Sequence, residues 1–349
     1  MGCGRVGSTL ARSLEDRDHS VAVIDSNPDA FRRLGPSFNG TKVTGIDELG
    51  IDDAYDQVVT VISHDNPHWA RFRSPQFLVG NEILRTLGIN REDRAEFRFE
   101  SVTGNEFSIP LVAAPIAEVS TVLYAPVEET GDTPLHLRNP GLNYWFAWIP
   151  ERRLIYVKYN VCRDSPTEDF AAFTKRLFTL ADRERPEKLV VDMRNNSGGS
   201  SAVINPLIDA IRARSWLDQP DRLFVITGPQ TFSSAVLKAL TFRRSTRATL
   251  VGEPTGGNAN VYGEVRSFVL PKRRVTVWHS SKYFDIDASN PGAVVPDIHI
   301  ETSSEDYFSN RDPVLEGILT GTNQTLSGDE TAPRRHRAVA RRPPPRVCR

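Results

Sequence analysis

Two adjacent serines and a pair of glycines are the groups in this sequence best placed to do chemistry. Ser233 and Ser234 follow the apolar run Leu223-Phe-Val-Ile-Thr227 and open a stretch with helical spacing of apolar residues that continues to Phe242. A serine at the entry to a helix feels the positive end of the helix dipole, and the next backbone N–H can stabilise an oxyanion. Gly198 and Gly199 close the run Lys188-Leu-Val-Val-Asp-Met-Arg-Asn-Asn-Ser-Gly-Gly199. Lacking side chains, they let a second backbone donor approach closely. A hydroxyl with two converging N–H donors is the minimum for acyl transfer. The same residues also suit plain helix capping, in which Ser233 or Ser234 does no chemistry. Both readings stand at the level of spacing.

Such groups need a scaffold. Lys188 to Asn195, Leu223 to Thr227 and Ala248-Thr-Leu-Val-Gly-Glu-Pro-Thr-Gly-Gly-Asn258 each begin as a short apolar run and end in a polar, glycine-containing loop. Ala202 to Arg214 and Ser233 to Phe242, lying between them, carry helical spacing. Strand, loop and helix in repetition predict a parallel sheet with crossover helices, whose ligands bind where loops leave the carboxyl ends of the strands. Toward the N-terminus, residues 46–62 read as a turn and an amphipathic helix, with Asp52 or Asp53 available as its cap. His64-Asp-Asn-Pro-His68-Trp has histidines four apart, but Pro67 argues against the helix that would converge them, so a polar turn is expected. Pro75 to Leu87 reads as a short helix closing at Gly88. Alternation over 95–100 and 106–112 predicts a hairpin, and Tyr144–Ile149 with Leu154–Asn160 a second. Phe170 to Asp182 is helical in pattern, whereas Tyr262–Leu270 and Val275–Phe284 alternate like strands.

Composition narrows the classes. In 349 residues, 43 Lys and Arg face 44 Asp and Glu, a net charge of −1 that gives no general argument for nucleic acid or membrane binding. Residues 331–349 hold seven Arg, four Pro and no acid, a composition expected to be disordered. Cys3, Cys162 and Cys348 form neither a disulfide framework nor a zinc pattern. No run approaches the ~20 apolar residues of a membrane span. No signal peptide is legible, so the chain as written reads as cytoplasmic, or as exported if its N-terminus is a truncation or fusion.

Asp192-Met-Arg-Asn-Asn-Ser-Gly-Gly199, Thr231-Phe-Ser-Ser-Ala235 and Val251-Gly-Glu-Pro-Thr-Gly-Gly257 together resemble the tail-specific, or C-terminal-processing, serine peptidase family over about residues 46–317. The resemblance implies an α/β fold with a crotonase-like, ClpP-like spiral core and mixed sheets. It places Ser233 on the nucleophile and the N–H groups of Ser234 and Gly198 on the oxyanion hole. Members using a Ser–Lys dyad carry the Lys where this chain has Asn258, so no base is carried over; other branches use a His from a more N-terminal segment. Within this domain His279 and Lys282 are the candidate bases and Glu264 the candidate polarising partner.

Met1-Gly-Cys-Gly-Arg-Val-Gly7 supplies G-x-G-x-x-G at Gly2, Gly4 and Gly7, and Asp25 ends a strand-like run at the position of a ribose-binding acid. With the helical segment from Ser8, this resembles the start of TrkA-type (RCK) nucleotide-binding domains, as far as about Gly45. No strand precedes the glycines, so an incomplete Rossmann fragment leaning on the next domain is expected. The resulting organisation is a partial TrkA-N fragment over 1–45, helices and hairpins over 46–180, a protease-like core over 181–321 and the tail over 322–349. The expected function is hydrolysis of polypeptides by acylation of Ser233, with no metal or nucleotide cofactor. The alternatives are an inactive peptide-binding member and a nucleotide-binding regulator of potassium transport acting through residues 1–45.

Overall fold

A computed structural model describes residues 22–23, 41–101, 104–115, 133–302, 306 and 310–321. Gly2, Gly4, Gly7, Asp25 and the Arg-rich tail lie outside the described residues. In chain order the elements are β1 (Ala22–Val23), β2 (Thr41–Ile46), β3 (Leu49–Gly50), α1 (Ile51–Val59), α2 (Pro67–Leu78), α3 (Asn81–Thr86), β4 (Arg94–Glu100) and β5 (Glu106–Val112). There follow β6 (Tyr144–Ile149), β7 (Leu154–Tyr159), α4 (Phe170–Glu184), β8 (Lys188–Asp192), α5 (Asn205–Arg212), β9 (Leu223–Thr227), α6 (Ser234–Ser245) and β10 (Thr249–Gly252). The last are β11 (Val261–Val269), β12 (Thr276–Phe284), β13 (Ile298–His299) and α7 (Pro313–Thr320).

The central sheet has the order β13-β10-β9-β8-β7-β6, parallel throughout except for β6, which pairs antiparallel with β7. Strands covered on both faces are apolar on both faces, which explains the unbroken runs in β8 and β9. Alternation along them feeds two cores. Ile155, Val157, Val191, Val225 and Leu250 pack on α4, α5 and α6, whereas Tyr156, Val190, Ile226 and Val251 pack on α7. Because β8, β9 and β10 run in one direction, the loops following them emerge at one edge of the sheet. That edge carries Gly198, Ser233 and Asn258.

The N-terminal sheet is β1-β2-β4-β5, with β3 also on β2. Val43, Ile46, Ala54, Val58, Leu84, Phe97 and Phe99 form its core with α1 and α3. One core therefore runs across the 45/46 boundary drawn from the sequence.

Three local expectations are corrected. Helix α1 begins at Ile51 with Gly50 as its N-cap and no side-chain cap bond, so Asp52 and Asp53 lie inside the first turn, where they favour the helix dipole. Pro67 starts α2 instead of forbidding it, because the first helical position needs no N–H. Asn66 caps that helix, accepting from the amides of His68 at 3.0 Å and Trp69 at 3.2 Å. Finally, Pro75 lies inside α2 instead of opening a separate helix. Having no N–H to offer the Arg71 carbonyl, it is relieved by the Ser74 hydroxyl, which donates to that carbonyl at 3.0 Å.

Candidate active site

Ser233 occupies the N-cap position of α6, yet its hydroxyl makes no capping bond. Its backbone has φ 51° and ψ −126°, a conformation that side-chain-bearing residues rarely adopt and that costs of order 1–3 kcal/mol. Ser234, the first helical residue, gives its hydroxyl to the Gly199 carbonyl at 2.5 Å. Its own N–H belongs to the first helical turn, whose amides have no intrahelical acceptor.

The Asn195–Gly199 loop faces Ser233 directly. A Cβ on Gly198 would stand 2.7 Å from the Ser233 Cβ and 3.0 Å from the Phe232 carbonyl, so only glycine fits there, at φ 109°. Gly198 is thus pressed against Ser233 as its nomination for the oxyanion hole requires, but its N–H donates to Asn196 Oδ1 at 2.9 Å. Asn196, fully buried, also donates through Nδ2 to the Tyr159 carbonyl at 2.9 Å, and its own carbonyl accepts from the Phe232 N–H at 3.0 Å. It is the bracket holding the glycine loop to the serine loop. Gly199, at φ 132°, turns its carbonyl to Ser234, and Cys162 bridges the loop's outer side through bonds to Gly198 and Ser200. The Cys162 thiol is pushed up by its burial.

A third loop completes the edge. The Gly257 N–H donates to the Thr231 carbonyl at 3.2 Å, and a Cβ on Gly257 would lie 3.2 Å from the Ser233 nitrogen. Asn258, where a dyad lysine would stand, donates through Nδ2 to the Asp65 carbonyl at 3.0 Å and accepts on Oδ1 from Asn66 Nδ2 at 2.9 Å. Asn66 also donates to the Gly256 carbonyl at 3.0 Å. The Trp69 ring stands 4.6 Å from that of Phe232, the residue before Ser233. The His64–Trp69 segment, expected as a polar turn, is therefore seated on the loops around Ser233. His64 Nδ1 lies 2.7 Å from the Ile62 carbonyl. Since a carbonyl only accepts, Nδ1 carries the proton and Nε2 is left as the basic nitrogen. Asp65 is raised by burial, against the Asn258 N–H and His64, which lower it; His68 is lowered by burial and by Arg71.

The candidate bases and the polarising partner read from the sequence share one hairpin. His279, Lys282 and Glu264 lie on the exposed ribbon β11–β12, where Lys282 and Glu264 pair with each other at 3.7 Å and His279 sits opposite Arg266. Among the described residues, no hydrogen bond or ion pair links any of them to Ser233. Strand alternation was legible, but that this hairpin joins no other sheet among the described residues was not.

Beneath the site lies a charged network that residue patterns did not suggest. Lys158 Nζ donates to Asn195 Oδ1 at 2.8 Å and stands 3.4 Å from Asp192; Tyr156 donates to Asp192 at 2.5 Å. Arg194 lies 2.8 Å from Asp192 and grips Asp312 with two bonds of 3.0 and 2.9 Å, and His136 stands 3.0 Å from Asp312. Burial lowers Lys158 to about 8 against the pull of Asp192. Burial would raise Asp192, but Arg194 and Lys158 overcome it and hold the carboxyl down at about 2. The Asp-x-Arg of the motif thus anchors the glycine loop to the start of α7. Among the described residues no cluster of His, Cys, Asp and Glu could hold a metal, and no helix is long and apolar enough to cross a membrane.

Comparison with known proteins matches both parts of the chain. Residues 1–70 match the TrkA-N domain, a span reaching past Gly45 through α1. Over 102 residues the chain is 47% identical to the Trk system potassium uptake protein TrkA of Streptomyces coelicolor, covering 27% of this chain and 45% of that protein. The chain therefore spans under half the length of the curated relative it matches. In structure it is similar to mature CPAF, with TM-score 0.50 and 12% identity over 81% of this chain and 77% of that one. It is likewise similar to mature CPAF complexed with lactacystin, with TM-score 0.51 and 12% identity over 81% and 78%. The class so defined is a mixed α/β chain with a fold like that of mature CPAF. In this chain a TrkA-N segment leads that fold.

Proposed function

We propose that this chain is a serine peptidase that cleaves polypeptides by acylation of Ser233, with His64 as general base. The observation that carries the reading is Ser233 itself: a strained serine at a helix entry, its hydroxyl uncommitted, pressed against two glycines. In the first step Ser233 Oγ attacks the peptide carbonyl while its proton passes to His64 Nε2. The Ser234 N–H takes the oxyanion, and Gly198, pressed against Ser233, supplies the second N–H once it is released from Asn196 Oδ1. The imidazolium returns the proton to the leaving amine, and water then releases the acyl group by the same route.

The test is labelling of the intact chain by a fluorophosphonate probe, with mass spectrometry of an unstructured reporter peptide bearing a free apolar C-terminus. Wild type is expected to label and cleave, and Ser233→Ala to do neither. His64→Gln is expected to slow both by roughly three orders of magnitude, with His68→Gln close to wild type. Equal loss in the two histidine variants would overturn the assignment of His64.

A second reading follows from Ser233 making no hydrogen bond to a base among the described residues: a cleft that binds extended peptide without turnover. Peptide binding by wild type and Ser233→Ala alike, with no labelling of either, is its signature. The TrkA-N match over residues 1–70 favours a separate proposal, nucleotide binding at Gly2, Gly4, Gly7 and Asp25 by the N-terminal segment. NAD should then raise the melting temperature of wild type and leave Gly4→Val unmoved; no rise in wild type disposes of it.

A further inference from the structure

Among the described residues the ribbon β11–β12 is two strands wide and joins no other sheet. An isolated two-stranded ribbon is marginal in water by itself. Its outer half is nevertheless apolar on both faces. In the pairing register Trp278 lies opposite Ser267, and Val269 opposite Thr276, on one face; Phe268 lies opposite Val277 on the other. Trp278 is 68% exposed, Val269 55% and Phe268 51%, so neither face is covered. The turn joining the strands reads Leu270-Pro-Lys-Arg-Arg-Val275, with Leu270 and Val275 also exposed. Over residues 261–284 the cations Arg266, Lys272, Arg273, Arg274 and Lys282 face the single carboxylate Glu264.

The root of the ribbon is held firmly. Asn260 accepts from the amides of Ile286 and Asp287 at 2.7 Å each and donates to Asp285 at 2.8 Å, while Arg244 pairs with Asp287 at 2.9 Å. Asn260 follows Asn258 by two residues, so the root of the ribbon lies beside the candidate active site and its tip a strand of 9 residues away.

We infer that the tip of this ribbon docks into the interfacial layer of an anionic lipid bilayer. A protein groove covers one face of a ribbon, whereas a lipid interface surrounds an inserted tip on every side. Two-sided apolar exposure therefore favours lipid. Tryptophan and phenylalanine suit the depth of the headgroups, and the Lys272-Arg-Arg274 turn complements a surface of negative headgroups. The membrane is touched, not spanned.

The test is co-sedimentation of the full chain with vesicles of phosphatidylcholine alone and of phosphatidylcholine doped with phosphatidylglycerol. The chain is expected to sediment with the doped vesicles only, and less as salt rises. Replacing Lys272, Arg273 and Arg274 by serine is expected to weaken binding roughly fivefold per cation. Trp278→Ser with Phe268→Ser is expected to abolish it. Failure of wild type to bind doped vesicles overturns the inference, as does equal binding to both vesicle types. Concentration-dependent self-association lost in the Trp278→Ser, Phe268→Ser variant also overturns it, by making a second copy of this chain the occupant. The wild-type salt titration decides the matter even if a ribbon variant does not fold. Peptidase activity does not enter the readout.

Discussion

At the scale of single residues, the site is a trade of stability for geometry. Ser233 holds φ 51° where glycine would be unstrained, and a close approach of Gly198 fixes it there. Strain at such a position costs about 1–3 kcal/mol, against which glycine loses about 0.5–1 kcal/mol of backbone entropy. Ser233→Gly is therefore expected to stabilise the fold by about 1 kcal/mol, seen as a raised urea midpoint, while abolishing labelling. A midpoint lowered by the substitution would mean that the backbone there is not strained. Asn196 is the other decisive residue: its side chain ties the Gly198 amide to the Tyr159 carbonyl and so holds the glycine loop in place.

At the scale of elements, the N-terminus of α2 connects the TrkA-like part to the peptidase-like part. Asn66 is at once the cap of α2 and a donor to Gly256 and Asn258. Losing a cap of this kind costs about 1 kcal/mol. Asn66→Ala is expected to cost more than that, because the buried polar groups of the 255–258 loop lose their partner as well. A double-mutant cycle with Asn258→Ala should give a coupling of at least about 0.5 kcal/mol in urea unfolding. Additive costs would show that the two parts touch without stabilising each other.

At the scale of the whole molecule, the network Lys158–Asp192–Arg194–Asp312 connects the central sheet, the glycine loop and the C-terminal helix α7. Removing one member of a buried ion pair leaves its partner uncompensated and costs about 3–5 kcal/mol. Arg194→Met is expected to lose that much in chemical denaturation, whereas Arg85→Met, in a solvent-exposed pair with Asp93, is expected to lose less than about 1 kcal/mol. The acid response follows from Asp192, whose carboxyl is held at about 2 against an ordinary 3.8. As pH falls from about 4 to about 2 the unfolded chain takes up the proton first, so this contribution, full above the unfolded value, is lost through that window. The urea midpoint of wild type should drop across it, and the drop should be shallower in Arg194→Met, where Asp192 has lost its nearest cation.

Much was legible because it is local. Unbroken apolar runs in β8 and β9 announced a sheet covered on both faces, and the glycines at 198 and 199 announced a close backbone approach. The positive field expected at Ser233 follows from a helix that its own spacing predicts. TrkA-like and peptidase-like resemblances likewise rest on contiguous motifs. The fate of His64 was not legible, because the polar turn expected there turns into a helix start once Asn66 finds partners nearly two hundred residues away. Nor was the placing of His279, Lys282 and Glu264 on a ribbon of their own: alternation predicts a strand but does not say what the strand pairs with, and among the described residues β11 and β12 pair only with each other. The charged network is the clearest case. Sequence alone determined that Asp192 and Arg194 flank the glycine loop, but only the tertiary structure decided that Asp312, more than a hundred residues on, would make their burial affordable, since a charge leaves water only where a partner from elsewhere in the chain awaits it.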